Sequence, residues 1–142
     1  MREILFRAKR KNWRELPKEE WWVEGYYVKC RKYDYILPIF NEYEPFHGYD
    51  DRYDEWVEIA PETLCQYTEL KDKKGNRIWE NDIVRIENSV DEGVGNIEFY
   101  EGIWFVDGKP NNCLYDISGY DYDAEIEVIG NIFDNPELLK GE

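Results

Sequence analysis

The stretch QYTELKDKKGNRIWENDIVRI, residues 66–86, decides how the rest of the chain is read. Residues 66–70 can extend as a strand. Residues 71–76 form a turn cluster, in which Asp72 can cap backbone N–H groups and Gly75 supplies the positive φ of a tight turn. Residues 77–86 read as a second strand, with Asp82 beside the apolar pair Ile83-Val84 and its carboxylate placed to hydrogen-bond a neighbouring turn. The two strands make a hairpin, and the segments on either side read as further strands laid against it.

Upstream, residues 2–8 (REILFRA) alternate, with Ile4, Phe6 and Ala8 on one face and Glu3, Leu5 and Arg7 on the other. Residues 21–31 (WWVEGYYVKCR) are a second aromatic-rich strand, in which Gly25 predicts a bulge or bend. Residues 35–37 make a short strand stopped by Pro38, and residues 55–60 alternate again. Downstream, residues 87–95 read as a polar turn. Residues 95–100 and 103–106 then form a third hairpin about Glu101-Gly102. A short strand at 114–117 and a last one at 124–132 follow, the latter with Ile126, Val128 and Gly130 on one side. Asn135 as N-cap and Pro136 at the first helical position predict a short helix over 135–140.

This pattern predicts a β-rich fold, all-β or α+β with minor short helices. Its short antiparallel strands would form a barrel or sandwich, with an SH3-like barrel in the C-terminal half over 78–132. At 142 residues the chain fits a single domain, with N-terminal strands over 1–60 packed on a C-terminal unit over 66–133. An aromatic share of 17% excludes a disordered acidic chain. Cys30, Cys65 and Cys113 are odd in number and widely spaced, which speaks against a disulfide framework. The N-terminus lacks an apolar secretory core, and no apolar run is long enough to span a bilayer. The expected location is therefore the cytoplasm, with no membrane partner.

The net charge of −14 is uneven. Residues 1–33 carry ten Lys/Arg against five Glu, whereas residues 87–142 carry fourteen acids against Lys109 and Lys140. The basic turn (Arg7, Lys9, Arg10, Lys11 and Arg14 around Trp13) is the candidate nucleic-acid contact, because cations interleaved with an aromatic can grip phosphate and stack a base. An overall acidic surface opposes that, and the same cations can pair with the acidic C-terminal part within or between subunits. Tyr43, Phe46, Tyr49 and Tyr53, and Tyr120 and Tyr122, stand among acids in two loops, 41–54 and 119–123. These are candidate interaction loops, since Tyr combines contact area with a polar tip.

Chemistry leaves little trace. His47 is the only histidine and has no ligand-spaced partner for zinc. Neither Ser89 nor Ser118 lies in a nucleophile elbow, and phosphate-loop and dinucleotide fingerprints are missing. Asp121, Asp123, Glu125 and Glu127 alternate, so they fall on one strand face; that row is the wet side opposite Ile126 and Val128, or an oxygen-ligand site for a divalent cation. The sequence thus assigns no catalytic residue, no metal ligand and no cofactor.

Three segments together resemble one family. They are MREILFRAKR with the following WWVEGYYV, then PETLCQYTELKDKKGNRIWENDIVRI, and finally EIEVIGNIFDNPELL. They are similar to the YopX family of phage and prophage proteins, whose pattern is carried here by Gln66, Tyr67, Asp72, Gly75, Asp82, Gly130 and Asn131. Two positions depart from it, since the family usually has Gly where Glu69 and Asn81 stand. Glu69 is read as an ordinary strand residue, because a Glu at positive φ would be strained. Asn81 can keep a bend with Asp82. The resemblance implies a small β-rich protein of mobile genomes, cytoplasmic in a bacterial host, that self-associates and brings no catalytic residues. The expected function is non-enzymatic, through protein contacts as a homo-oligomer or with a host or phage protein. The alternative is nucleic-acid binding or DNA mimicry.

Overall fold

The computed structural model describes residues 4–38, 56–87, 92–106 and 125–139. The chain divides into two compact units, Met1–Gln66 and Tyr67–Glu142. Among the described residues all helical structure is in 3-10 turns, and the rest of the regular structure is antiparallel strand.

The first unit holds β1 (Phe6–Lys9), β2 (Trp22–Cys30), β3 (Tyr33–Pro38), β4 (Val57–Glu58) and the start of β5 (Cys65–Lys71). They lie in the order β4-β3-β2-β1-β5. Ala8, Val23, Ile36 and Ile59 form the core, with Phe6, Tyr27, Val57 and Leu64 packed on it. Alternation puts Ala8 inside as expected, yet Ile4 on the same face is 55% exposed, while Leu5 and Lys9 on the other face are buried. β1 is therefore covered on both faces in part, which a two-residue period does not reveal.

Gly25 makes no bulge. It pairs with Phe6 and with Pro38 in unbroken registers. Its requirement is close approach: a Cβ there would lie 2.0 Å from the Leu37 carbonyl oxygen. The strand expected at 35–37 runs longer, over Tyr33–Pro38, and that expected at 55–60 shortens to Val57–Glu58, with Ile59 bridging to Arg10.

The second unit holds the rest of β5, then β6 (Arg77–Trp79), β7 (Asp82–Glu87), β8 (Glu92–Tyr100), β9 (Ile103–Val106) and β10 (Glu125–Asn131). Residues 77–86 are two strands, not one. The chain turns at Glu80-Asn81, where Asn81 has φ 71, and β6 pairs with β5 while β7 lies between β10 and β8. Asp82 closes the turn by accepting the Trp79 N–H at 2.8 Å, as its place at a strand start implies. Asn81 is tied on both sides: its N–H donates to the Ile97 carbonyl, and its carbonyl accepts from the Ile132 N–H. β8 starts earlier than expected, so Gly93 and Gly95 sit in the strand opposite Ile86 and Val84 instead of in a turn.

Ile78, Val84, Ile86, Ile97, Val106 and Ile126 make one buried core from five strands, with Leu70, Trp104 and Val128 against it. The β-rich expectation holds. The described pairings are a four-stranded sheet, β10-β7-β8-β9, and the β5–β6 hairpin that shares its core; closure into an SH3-like barrel is not among them. The expected helix over 135–140 is a single 3-10 turn, Pro136–Leu139. The Asn135 carboxamide oxygen accepts the Asn131 N–H, in the space a side chain on Gly130 would fill.

Candidate functional site

Most of the basic turn predicted to meet nucleic acid is engaged within its own unit. Lys9, only 3% exposed, places its ammonium 3.7 Å from the centre of the Trp13 ring and 4.5 Å from that of Trp21. Trp13 and Trp21 meet edge to face at 4.9 Å. Arg14 stacks on Trp13 at 4.5 Å, and Arg7 on Trp22 at 4.7 Å. A cation over an indole face is favoured by the ring quadrupole, more so when desolvated. Arg10 donates to the Glu20 carbonyl, and Lys11 pairs with Glu58 at 3.0 Å, which raises the Lys11 pKa. Arg7, Arg10, Lys11, Trp13 and Arg14 are thus brought together, but the Trp13 ring is already occupied by Lys9 and Arg14. The central role of Lys9 is not legible locally; the signal was three Trp (13, 21 and 22) flanking one basic segment.

The family-motif residues build a second constellation, in the second unit. Asp72 accepts the Lys74 and Asn76 N–H groups, both at 2.9 Å, and the Val128 N–H at 3.0 Å. Burial opposes its charge, but those donors and the Asn76 amide outweigh burial and hold its pKa below the usual carboxylate value. One side chain thus closes the 72–76 turn, where Gly75 has φ 84, and joins it to β10. Lys73 adds a backbone bond to Ile126, and its ammonium meets Glu125 at 3.1 Å; Lys74 meets Glu127 at 2.7 Å. Of the alternating carboxylates, Glu125 and Glu127 are therefore ion-paired with this turn, while Asp121 and Asp123 lie outside the described residues. Asn131 accepts the Phe133 and Asp134 N–H groups, turning the chain at the end of β10. Tyr67 stacks near Trp79 at 5.3 Å, and Gln66 pairs with Phe6 at the end of the first unit.

Glu69 overturns its sequence reading. It has φ 73, inside an irregular register where Tyr67 faces Trp79 and Lys71 faces Arg77. Four steps along β5 match two along β6, so the excess bulges out at 68–70. The Thr68 hydroxyl spans the bulge, donating to the Ile78 carbonyl and accepting the Leu70 N–H. The position needs what the family's Gly supplies.

Of the exposed large hydrophobics among the described residues, Phe99, Tyr100 and Ile103 lie at one hairpin tip and Tyr33 at another. At the β8–β9 tip, Phe99 is 52%, Tyr100 64% and Ile103 45% exposed, about a turn with φ 50 at Glu101 and φ 82 at Gly102. At the β2–β3 tip, Lys29, Cys30, Arg31 and Lys32 are exposed, with Tyr33 beside them. The sequence located the Glu101-Gly102 turn but not the β2–β3 turn, and it singled out neither tip. Tyr43, Phe46, Tyr49, Tyr53, Tyr120 and Tyr122 lie outside the described residues. Cys30 carries an exposed thiol, and the buried Cys65 thiol donates to the Thr63 carbonyl at 3.2 Å. Among the described residues no group of His, Cys, Asp and Glu is spaced to hold a metal ion, and no helix is long and apolar enough to cross a membrane.

Two comparisons bear on this architecture. The chain is 36% identical over 72 residues to the SPbeta prophage-derived uncharacterized protein YopX of Bacillus subtilis (strain 168), a match covering 48% of this chain and 54% of the relative. The chain thus spans about half the length of the curated relative it matches. The YopX protein family model matches residues 6–140, which takes in β1, the Asp72 turn and the Gly130-Asn131 end of β10. A match across nearly the whole chain, on residues whose structural roles are now plain, makes it a member of the YopX family.

Proposed function

We propose that this chain is a non-enzymatic, phage- or prophage-carried protein of the bacterial cytoplasm that works through protein contacts, first with further copies of itself. The observation that carries this is the distribution of exposed apolar side chains. Of six large exposed hydrophobics among the described residues, Phe99, Tyr100 and Ile103 stand together on one hairpin. Exposed large apolar side chains gathered at one hairpin tip support an interface there, where aromatics are enriched. The prophage origin of the Bacillus relative supports the mobile-genome setting. Co-expression of tagged and untagged chains tests the proposal: the tagged copy should retain the untagged one through washing. Recovery of the tagged chain alone would refute self-association.

A second reading, nucleic-acid binding, is favoured by one observation: Arg14 is exposed and stacked on Trp13, with Lys11 and Lys18 exposed nearby in sequence. It predicts a gel shift of single- or double-stranded DNA that weakens steeply with salt. No shift at low salt, with protein in excess, would refute it.

A further inference from the structure

We infer that the two exposed hairpin tips are the two halves of one head-to-tail contact, in which the basic β2–β3 tip of one copy docks on the acidic β8–β9 tip of the next. This rests on the self-association proposed above and names the surfaces that mediate it.

The tips are opposite in charge and alike in chemistry otherwise. At the β2–β3 tip Arg31 and Lys32 are exposed, while Lys29 pairs with Asp34 across the hairpin at 3.5 Å. At the β8–β9 tip, residues 98–103 carry Glu98 and Glu101 and no Lys or Arg. Each tip also presents exposed aromatics, Tyr33 (42%) on the basic side and Phe99 and Tyr100 on the acidic side. At the acidic tip Phe99 and Trp104 support each other at 4.6 Å, which makes a firm platform. At the basic tip the Lys32 ammonium lies 5.6 Å from the Tyr33 ring. Arg31 (φ 58) and Glu101 (φ 50) both stand at the apex of a tight turn, the most protruding place on a hairpin. Arg31, Lys32, Tyr33, Phe99, Tyr100 and Glu101 are each exposed among the described residues of their own unit.

A second copy is the occupant because complementarity is internal to the chain: each molecule carries one tip of each sign. Opposed charge sets register and disfavours tip-to-tip contacts of like sign, while the aromatics supply contact area. The contact is heterologous, since different patches meet, and it leaves one tip of each kind open at the ends of any open assembly. It therefore closes as a ring or grows as a chain.

Charge reversal tests this directly. One variant carries Glu98→Lys and Glu101→Lys; another carries Arg31→Glu and Lys32→Glu. All four positions are exposed, and circular dichroism with urea unfolding checks that each variant folds. Sedimentation velocity of the full chain at low salt should show wild-type assembly, with each variant alone weakened about tenfold or more. An equimolar mixture should reassociate, because each contact in alternating order again joins opposite signs. A single chain bearing all four substitutions should reassociate too. Tyr100→Ser should weaken assembly without changing the charge. Wild-type assembly with no effect of either reversal, or no restoration on mixing, would overturn these surfaces while leaving self-association intact. A wild type that never assembles would overturn both.

Discussion

Replacing Glu69 by glycine should stabilise the protein, against the usual expectation for a strand. At an ordinary strand position glycine loses roughly 0.5–1 kcal/mol to alanine through unfolded-chain entropy and lost packing. At Glu69 the backbone stands at φ 73, where a residue with a Cβ is strained by roughly 1–2 kcal/mol. Glycine removes that strain and gives back its own entropy, leaving a net gain of about 0.5–1 kcal/mol. The reference should be Glu69→Ala, which also lacks the carboxylate but keeps the Cβ, so the difference isolates the backbone. With a urea m-value of about 2 kcal/mol per molar, the glycine midpoint should lie about 0.3–0.5 M above the alanine one. Tryptophan fluorescence is a suitable probe, because Trp79 lies opposite the bulge. A glycine midpoint below that of alanine would mean that the position is plain strand, and the bulge assigned to 68–70 would be wrong.

Three further outcomes follow from the same geometry. Asp72→Asn replaces the acceptor of the Val128 N–H and should cost about 2 kcal/mol at neutral pH, the range for a bond to a charged group. Because the folded pKa of Asp72 lies below its unfolded value near 3.9, that stabilisation is complete above the unfolded pKa and is lost as pH falls through the folded one. Urea titrations of wild type and variant should therefore converge below about pH 4, and a constant gap down to strong acid would contradict the assignment. Gly25→Ala forces a Cβ against the Leu37 carbonyl and should cost the first unit about 3 kcal/mol or more, seen as early loss of structure on heating; a melting curve like that of wild type would contradict the close approach. Trp13→Ala removes the nearest ring from the Lys9 ammonium and should cost about 2 kcal/mol, whereas Arg14→Ala, on the exposed side, should cost under about 0.5. Equal costs in urea unfolding would show that the Lys9 cluster is not structural.

Strand periodicity made the β class legible, along with the 95–106 hairpin, because Glu101-Gly102 is a turn signal and the flanking residues favour strands. Features created by distant segments were not legible. Asp72 announces a local cap, but its bond to Val128 joins residues 56 apart in sequence, and nothing near either residue encodes it. Gly25 stands out in a strand, yet its cause is the carbonyl of a neighbouring strand. Residues 77–86 have continuous strand propensity, so the break at Glu80-Asn81 rests on Asn81 alone, the residue there that tolerates positive φ. Glu69 carries no such signal, and its side chain argues for the wrong conformation; only the glycine of the family pattern pointed to the bulge. As for the candidate surfaces, the charge asymmetry between the two ends of the chain was readable. Which aromatics face solvent depends on packing across strands and was not.

The most direct test of a protein that works through contacts with its own kind is its mass in solution. Light scattering behind size exclusion, at micromolar concentration and low salt, should return a mass well above the 17.2 kDa of one chain and falling as salt is raised. A mass of 17.2 kDa at every concentration and salt would contradict self-association and, with it, the head-to-tail contact of the hairpin tips.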